Sequence, residues 1–181
     1  MDLKSKIILI SGPTASGKSK AALKIAKKLN GEIINADSMQ VYKELNILTA
    51  RPSKIDLNKI NHHLYGFRSV KKEFSSGDWL KLAKKNIKKI RDKNKIPVLV
   101  GGTGLYFKAL TDGLVKIPKI PISVRDKIRR IQNKLGQKKF YLKLLKNDPL
   151  VKNKIDPTDV QRSIRAYEVI SFTKKSVFDW Y

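Results

Sequence analysis

The chain has 181 residues, room for one domain plus an appendage, and no cysteine, which excludes a disulfide framework, a thiolate zinc site and a catalytic thiol. Its longest apolar runs, Ile7–Ile10 and Pro97–Val100, fall far short of the ~20 residues that span a bilayer. The start, Met1 to Lys6, has no signal-peptide pattern, so a soluble, cytoplasmic chain with no membrane association is expected. Forty Lys and Arg against fifteen Asp and Glu give a formal charge of +25, which points to a polyanionic partner or to compositional drift.

The first 110 residues alternate apolar strands with amphipathic helices, the pattern of a parallel α/β sheet flanked by helices. Lys6–Ser11 fits a buried central strand. After a glycine-containing turn, Lys18–Leu29 reads as a helix with Ala22, Ile25, Ala26 and Leu29 on one face. Glu32–Ala36 is a second short strand. His62 and His63 are adjacent and would point to opposite sides of a strand, so no joint metal site is expected. Ser75 or Ser76 caps a helix through about Lys93, on which Leu80, Ala83, Ile87 and Ile90 form the apolar face. Lys81, Lys84, Lys85, Lys88 and Lys89 line its other face, read as solvated. Trp79, in its first turn, is read as core or edge packing. Pro97–Val100 is the next buried strand and ends in Gly101-Gly102-Thr103-Gly104. A helix from Leu105 to about Leu110 follows, and Tyr106 and Phe107 either pack under the site or line it.

Residues 113–122 carry two prolines and divide a 1–112 α/β core from a 113–181 helical region. In that region Ser123 is expected to cap a helix ending near Gly136, and a second helix runs from about Gln137 to Lys146. Asp156-Pro157-Thr158-Asp159 opens a third, with Asp156 as cap and Pro157 at the first helical position. Residues 1–110 carry +15 and residues 111–181 carry +10, yet five of the eight arginines lie in the second stretch. Arginine is the better phosphate fork, so that tilt favours a nucleic-acid surface there. Thirty-two of the forty basic residues are lysines, accompanied by 20 Ile and 10 Asn, residues with A/T-rich codons, so genome bias accounts for part of the excess. The aromatic ending, Phe178-Asp179-Trp180-Tyr181, reads as an element cut short.

The chemistry is concentrated at Gly12-Pro13-Thr14-Ala15-Ser16-Gly17-Lys18-Ser19, which matches Gly-x-x-x-x-Gly-Lys-Ser/Thr, the phosphate loop of ATP- and other nucleotide-binding proteins. A match arises by chance about 0.01 times in a chain of this composition, and this one sits between a strand and a helix. That placement aims backbone N–H groups and the helix dipole at a phosphate. Gly12 and Gly17 let the backbone curl close, Lys18 supplies a point charge, and the Ser19 hydroxyl is placed to ligate Mg2+. The strand before Gly101 ends without a carboxylate, unlike a standard nucleotide hydrolase. Asp37, closing the second strand, is the acid expected to face the loop, as a general base toward a second substrate or as a simple strand cap.

Several stretches together resemble one family, the tRNA dimethylallyltransferases, also called tRNA isopentenyltransferases. They are Gly12–Ser19, Asn35-Ala36-Asp37-Ser38-Met39-Gln40-Val41-Tyr42, Thr49-Ala50-Arg51-Pro52, His62-His63-Leu64, Phe74-Ser75, Pro97–Phe107 and Asp156–Glu168. The resemblance implies a P-loop NTPase-like sheet with a helical tRNA-binding region after about residue 112. It also implies transfer of a dimethylallyl group from its diphosphate to N6 of the adenosine at tRNA position 37, just 3′ of the anticodon. On that likeness Gly12 through Ser19 cradle the diphosphate with Mg2+ at Ser19, Asp37 is the general base, and Thr103 is an active-site hydroxyl. It further implies tRNA contacts at Asp37, Ser38, Met39, Gln40, Thr103, Arg125, Gln161, Arg162, Ser163, Ile164 and Arg165. On the Asp156-led helix Gln161, Arg162 and Arg165 lie off the apolar face of Val160, Ile164 and Tyr167, so they can point outward.

Family members are longer, so the 181 residues are expected to bind diphosphate, as a monomer, but to be impaired in transfer. Two other readings use the same residues. One is a small metabolite kinase with ATP as donor and Asp37 as base. The other is an RNA-binding module with a vestigial phosphate loop, which predicts RNA binding indifferent to Lys18→Ala.

Overall fold

The computed structural model describes residues 6–181; the expectation read from Met1 to Lys6 therefore lies mostly outside the described residues. The chain forms two compact units, Met1–Leu114 and Val115–Tyr181. No helix among the described residues is long and apolar enough to cross a membrane.

The first unit is a four-stranded, all-parallel sheet of β1 (Ile8–Ser11), β2 (Gly31–Asn35), β3 (His62–His63) and β4 (Ile96–Gly101), in the order β1-β4-β2-β3. The two inner strands are buried along their whole length, and their residues sort by parity onto two faces. Ile33, Val98 and Val100 face Ala22 and Ala26 of α1 (Lys18–Lys28). Ile34 and Leu99 face Trp79, Ala83, Ile87 and Ile90 of α3 (Ser76–Asp92) and Tyr106 of α4 (Gly104–Thr111). A short α2 (Lys54–Lys59) precedes β3. Ser75 caps α3 through a reciprocal capping box with Asp78.

β1 is not the central strand that its apolar run predicts. It is an outer strand of this sheet, and its side chains alternate between half-buried and exposed, with Leu9 40% exposed. Four apolar residues in a row are compatible with one covered face or two, and the run alone does not distinguish them.

Glu32, fully buried at the start of β2, ties the lower sheet together. Its carboxylate accepts from Asn61 Nδ2 at 3.1 Å and Lys95 Nζ at 3.0 Å, and lies 2.7 Å from His63 Nε2. Burial alone would raise its pKa, but hydrogen bonds from His63, Lys95 and Asn61 outweigh it and hold the carboxyl at about 2.

In the second unit, α5 (Ile122–Asn147) runs as two helical stretches joined at Gly136, whose φ of 69° and ψ of 164° are reached readily only by glycine. Its cap is Pro121, not Ser123. Asp156 does not cap the next helix; its Oδ1 accepts from the Thr158 amide at 2.7 Å in a local turn. Asp159 takes the capping position of α6 (Val160–Thr173), accepting from the Arg162 amide at 2.9 Å. Phe140, Leu144, Val151 and Val169 form this unit's core. Phe178 and Trp180, in the short 3-10 turn Val177–Trp180, pack against it.

Candidate active site

The loop between β1 and α1 is built for close backbone approach. A Cβ on Gly12 would meet Ser16 Oγ at 3.0 Å, and Gly17 holds φ 77° as it opens the helix. Ala15 also takes a positive φ, 64°, an uncommon conformation outside glycine that curls the loop. Lys18 Nζ donates to the Pro13 carbonyl at 2.7 Å, so the ammonium sits over the loop. Amide groups at the start of an 11-residue helix, with a lysine beside them, are an arrangement whose dipole and donors suit an anion.

Asp37 follows β2 and is held from three directions. Asn35, fully buried, accepts from the Asp37 amide through Oδ1 at 2.9 Å and donates through Nδ2 to the Asp37 carbonyl at 2.9 Å. The same Nδ2 donates to the Leu64 carbonyl at 3.0 Å, and Trp79 Nε1 donates to the Asn35 carbonyl at 2.8 Å. Trp79 is wholly buried and stacks on Tyr106 at 4.3 Å between ring centroids, so both aromatics pack beneath the site. From the other side, Thr103 Oγ1 accepts from the Ser38 amide at 2.9 Å, and the Thr103 amide donates to the Ala36 carbonyl at 3.2 Å.

These turns meet at the carboxyl ends of the strands. A Cβ on Gly102 would lie 3.4 Å from the Gly12 carbonyl and 4.0 Å from Asp37 Oδ2. The phosphate loop, Asp37 and the glycine turn before Thr103 thus border one small space, where parallel α/β sheets bind ligands. Asp37 Oδ1 accepts from the Met39 amide at 2.9 Å, which orients the carboxylate. Met39 is half exposed, and Gln40 turns away to donate to the Thr49 carbonyl at 2.8 Å.

A cavity of about 250 Å³ extends from Ser19, walled by Leu23, Arg51, Asp56, His62 and Tyr65. Arg51 is anchored there, donating from Nε to Asn46 Oδ1 at 2.9 Å. Its guanidinium fills the place of a Gly66 side chain, where a Cβ would overlap it. Burial, reinforced by the negative charge of Asp37, pushes the Tyr65 hydroxyl well above its ordinary pKa, so Tyr65 is a neutral donor. Burial and the nearby Tyr42 and Asp37 push Tyr106 up to about 12.

The remaining candidates lie in the second unit. Gln161, Arg162 and Arg165 are exposed on α6. Ser163 is fully buried and accepts from Gln137 Nε2 at 3.1 Å, while Ile164 packs against the core. Arg125 and Arg165 both approach the buried Glu168, at 3.4 and 3.6 Å. Asn35, Arg51, Tyr65 and Glu168 received no role from the sequence. Two had a readable signal: an amide-bearing residue two places before a strand-end acid, and a glutamate three places after an arginine.

The family described as IPP transferase matches residues 40–181. A tRNA dimethylallyltransferase of Pelagibacter ubique (strain HTCC1062) is 64% identical over 180 residues, which are 99% of this chain and 58% of that protein. One of Rickettsia massiliae (strain Mtu5) is 49% identical over 96% of this chain and 48% of its own length. The chain spans about half the length of the curated relatives it matches. Among solved structures, a eukaryotic dimethylallyltransferase acting on tRNA superposes with a TM-score of 0.80 at 32% identity, over 96% of this chain and 43% of that one. The tRNA isopentenylpyrophosphate transferase of Bacillus halodurans gives a TM-score of 0.61 at 37% identity, over 95% and 57%.

Proposed function

The chain belongs to the IPP transferase family, and from that premise we propose that the protein transfers a dimethylallyl group from dimethylallyl diphosphate to N6 of adenosine 37 in tRNA. The observation that carries this reading is the space between Gly12, Asp37 Oδ2 and Gly102. It brings a carboxylate close to the Gly12 carbonyl of the loop, with the side-chain-free Gly102 beside both.

The reaction balances with these residues. The N6 lone pair attacks C1 of the allylic chain, the C1–O bond breaks, and diphosphate departs with the bonding electrons. Asp37 Oδ2 takes the N6 proton. Charge growing on the diphosphate is met by the loop amides and Lys18, fixed donors that need no reorganisation. Thr103 Oγ1 already accepts from the Ser38 amide, which leaves its one proton to be donated toward the substrates. An adenosine at this position must leave its stack to reach Asp37, which the exposed arginines of α6 would favour by holding the RNA backbone.

Ser19, which lines the cavity, carries a hard oxygen donor in its hydroxyl, the donor type suited to a Mg2+ ion that otherwise binds phosphate oxygens and water. When bound, Mg2+ would neutralise the leaving diphosphate. The kinase and vestigial-loop readings are not favoured, because the chain's family is IPP transferase and its relatives at 64% and 49% identity are tRNA dimethylallyltransferases.

The test mixes the protein with Mg2+, dimethylallyl diphosphate and an unmodified anticodon stem-loop with adenosine 3′ of the anticodon. Mass spectrometry of the RNA should show one added prenyl group, lost on Lys18→Ala. Phosphate transfer from ATP without prenylation of any RNA would contradict the reading.

A further inference from the structure

Glu168 is a buried carboxylate, 2% exposed, in a helix whose outer face carries the arginines. Its Oε2 lies 3.4 Å from Arg125 Nε, brought by α5, and 3.6 Å from Arg165 NH1, one turn earlier on α6. Two cations from different helices therefore converge on one oxygen. A carboxylate taken out of water carries a desolvation cost that pairing must offset, so both guanidinium groups are drawn toward it. The cluster keeps one net positive charge. Arg125 and Arg165 retain 36% and 46% side-chain exposure, so each reaches from the buried acid to the surface. Arg162 differs. Its side chain is 74% exposed and pairs with Asp159 of its own helix end, at 3.5 Å, a surface contact of small value.

We propose that Glu168 is a positioning residue for RNA, fixing the Arg125 and Arg165 guanidinium groups side by side as one pre-organised grip for a backbone phosphate. A guanidinium presents its donors in a rigid planar fork, so drawing one of its nitrogens toward a buried carboxylate narrows the directions open to the others. Arginines already ordered by the protein lose less side-chain freedom when RNA arrives. The inference rests on the tRNA-modifying reading above, and it makes a prediction opposite in sign to simple charge counting. Removing the Glu168 charge makes the face more positive, which by itself strengthens binding to any polyanion. Loss of positioning instead weakens the structured RNA alone.

The experiment measures binding of an anticodon stem-loop, and separately of heparin, over a salt series for the unsubstituted protein and Glu168→Gln. The proposal expects stem-loop affinity to fall about tenfold, with the salt slope reduced by about one counterion, while heparin affinity does not fall. Unchanged or tighter stem-loop binding by folded Glu168→Gln overturns it. Arg125→Lys and Arg165→Lys test the same point without touching the buried acid. Each keeps its charge but loses the planar fork, so each should lose close to what its glutamine counterpart loses, and affinity retained by both lysine variants overturns the grip. No stem-loop binding by the unsubstituted protein overturns the RNA reading itself.

Discussion

Thr103 and Ser38 are joined by a 2.9 Å hydrogen bond from the Ser38 amide to the Thr103 hydroxyl oxygen, across 65 residues of sequence. This bond links the glycine turn after β4 to the turn that carries Asp37. It gives Thr103 two jobs, holding the Asp37 turn with a lone pair and offering its proton to the substrates.

Thr103→Val keeps the branched shape and removes both. Transfer should fall about 100-fold, in the range for loss of one oriented donor, whereas Thr103→Ser should stay within a few-fold. Single-turnover prenylation of a stem-loop measures the difference. Loss in Thr103→Ser with transfer retained by Thr103→Val would assign the effect to packing of the methyl group.

Gly101 and Gly102 should respond differently to alanine. A Cβ on Gly101 would overlap the Ala36 carbonyl, which backbone cannot yield without moving the β2–β4 pairing. Gly101→Ala should therefore cost about 1–3 kcal/mol or more, read as a lowered thermal midpoint. Gly102→Ala meets its nearest atoms at 3.4 and 4.0 Å, so the fold should tolerate it. Its methyl group would enter the space between the phosphate loop and Asp37, and transfer should fall with little change in melting temperature.

The elements legible in the sequence were those whose signals are local. The cap at Ser75 or Ser76, which the structure assigns to Ser75, the apolar faces of α1 and α3, and the break at Gly136 are all written within a few residues. Capping at Asp156 was misplaced because Asp156 and Asp159 both suit a cap, and only the path of the chain selects Asp159. The Glu32 cluster was invisible for the opposite reason. Its partners His63 and Lys95 lie 31 and 63 residues away, and a glutamate within an apolar strand gives no sign of which cations will reach it. Asp37 was readable as a strand-end acid with an amide two places before it, but the Trp79 indole that holds the Asn35 carbonyl from 44 residues away required the fold.

That cluster predicts an acid-sensitive fold. The folded-state pKa of Glu32 is about 2, against an ordinary 4.5, so its stabilisation is complete above pH 4.5. It is lost as the pH falls from 4.5 toward 2, as protonation withdraws the acceptor from His63, Lys95 and Asn61. The span corresponds to about 3 kcal/mol. Urea titrations between pH 3 and pH 7 should show this fall in the unsubstituted protein and a flatter profile for Glu32→Gln. Parallel profiles would place the acid sensitivity elsewhere.

The most direct test of the central claim compares unsubstituted protein with Asp37→Ala in two assays on the same stem-loop, prenyl transfer by mass spectrometry and equilibrium binding. If Asp37 is the base beside the phosphate loop, transfer disappears while RNA affinity stays within a few-fold. Transfer that persists in Asp37→Ala, or affinity that collapses with it, would contradict that assignment.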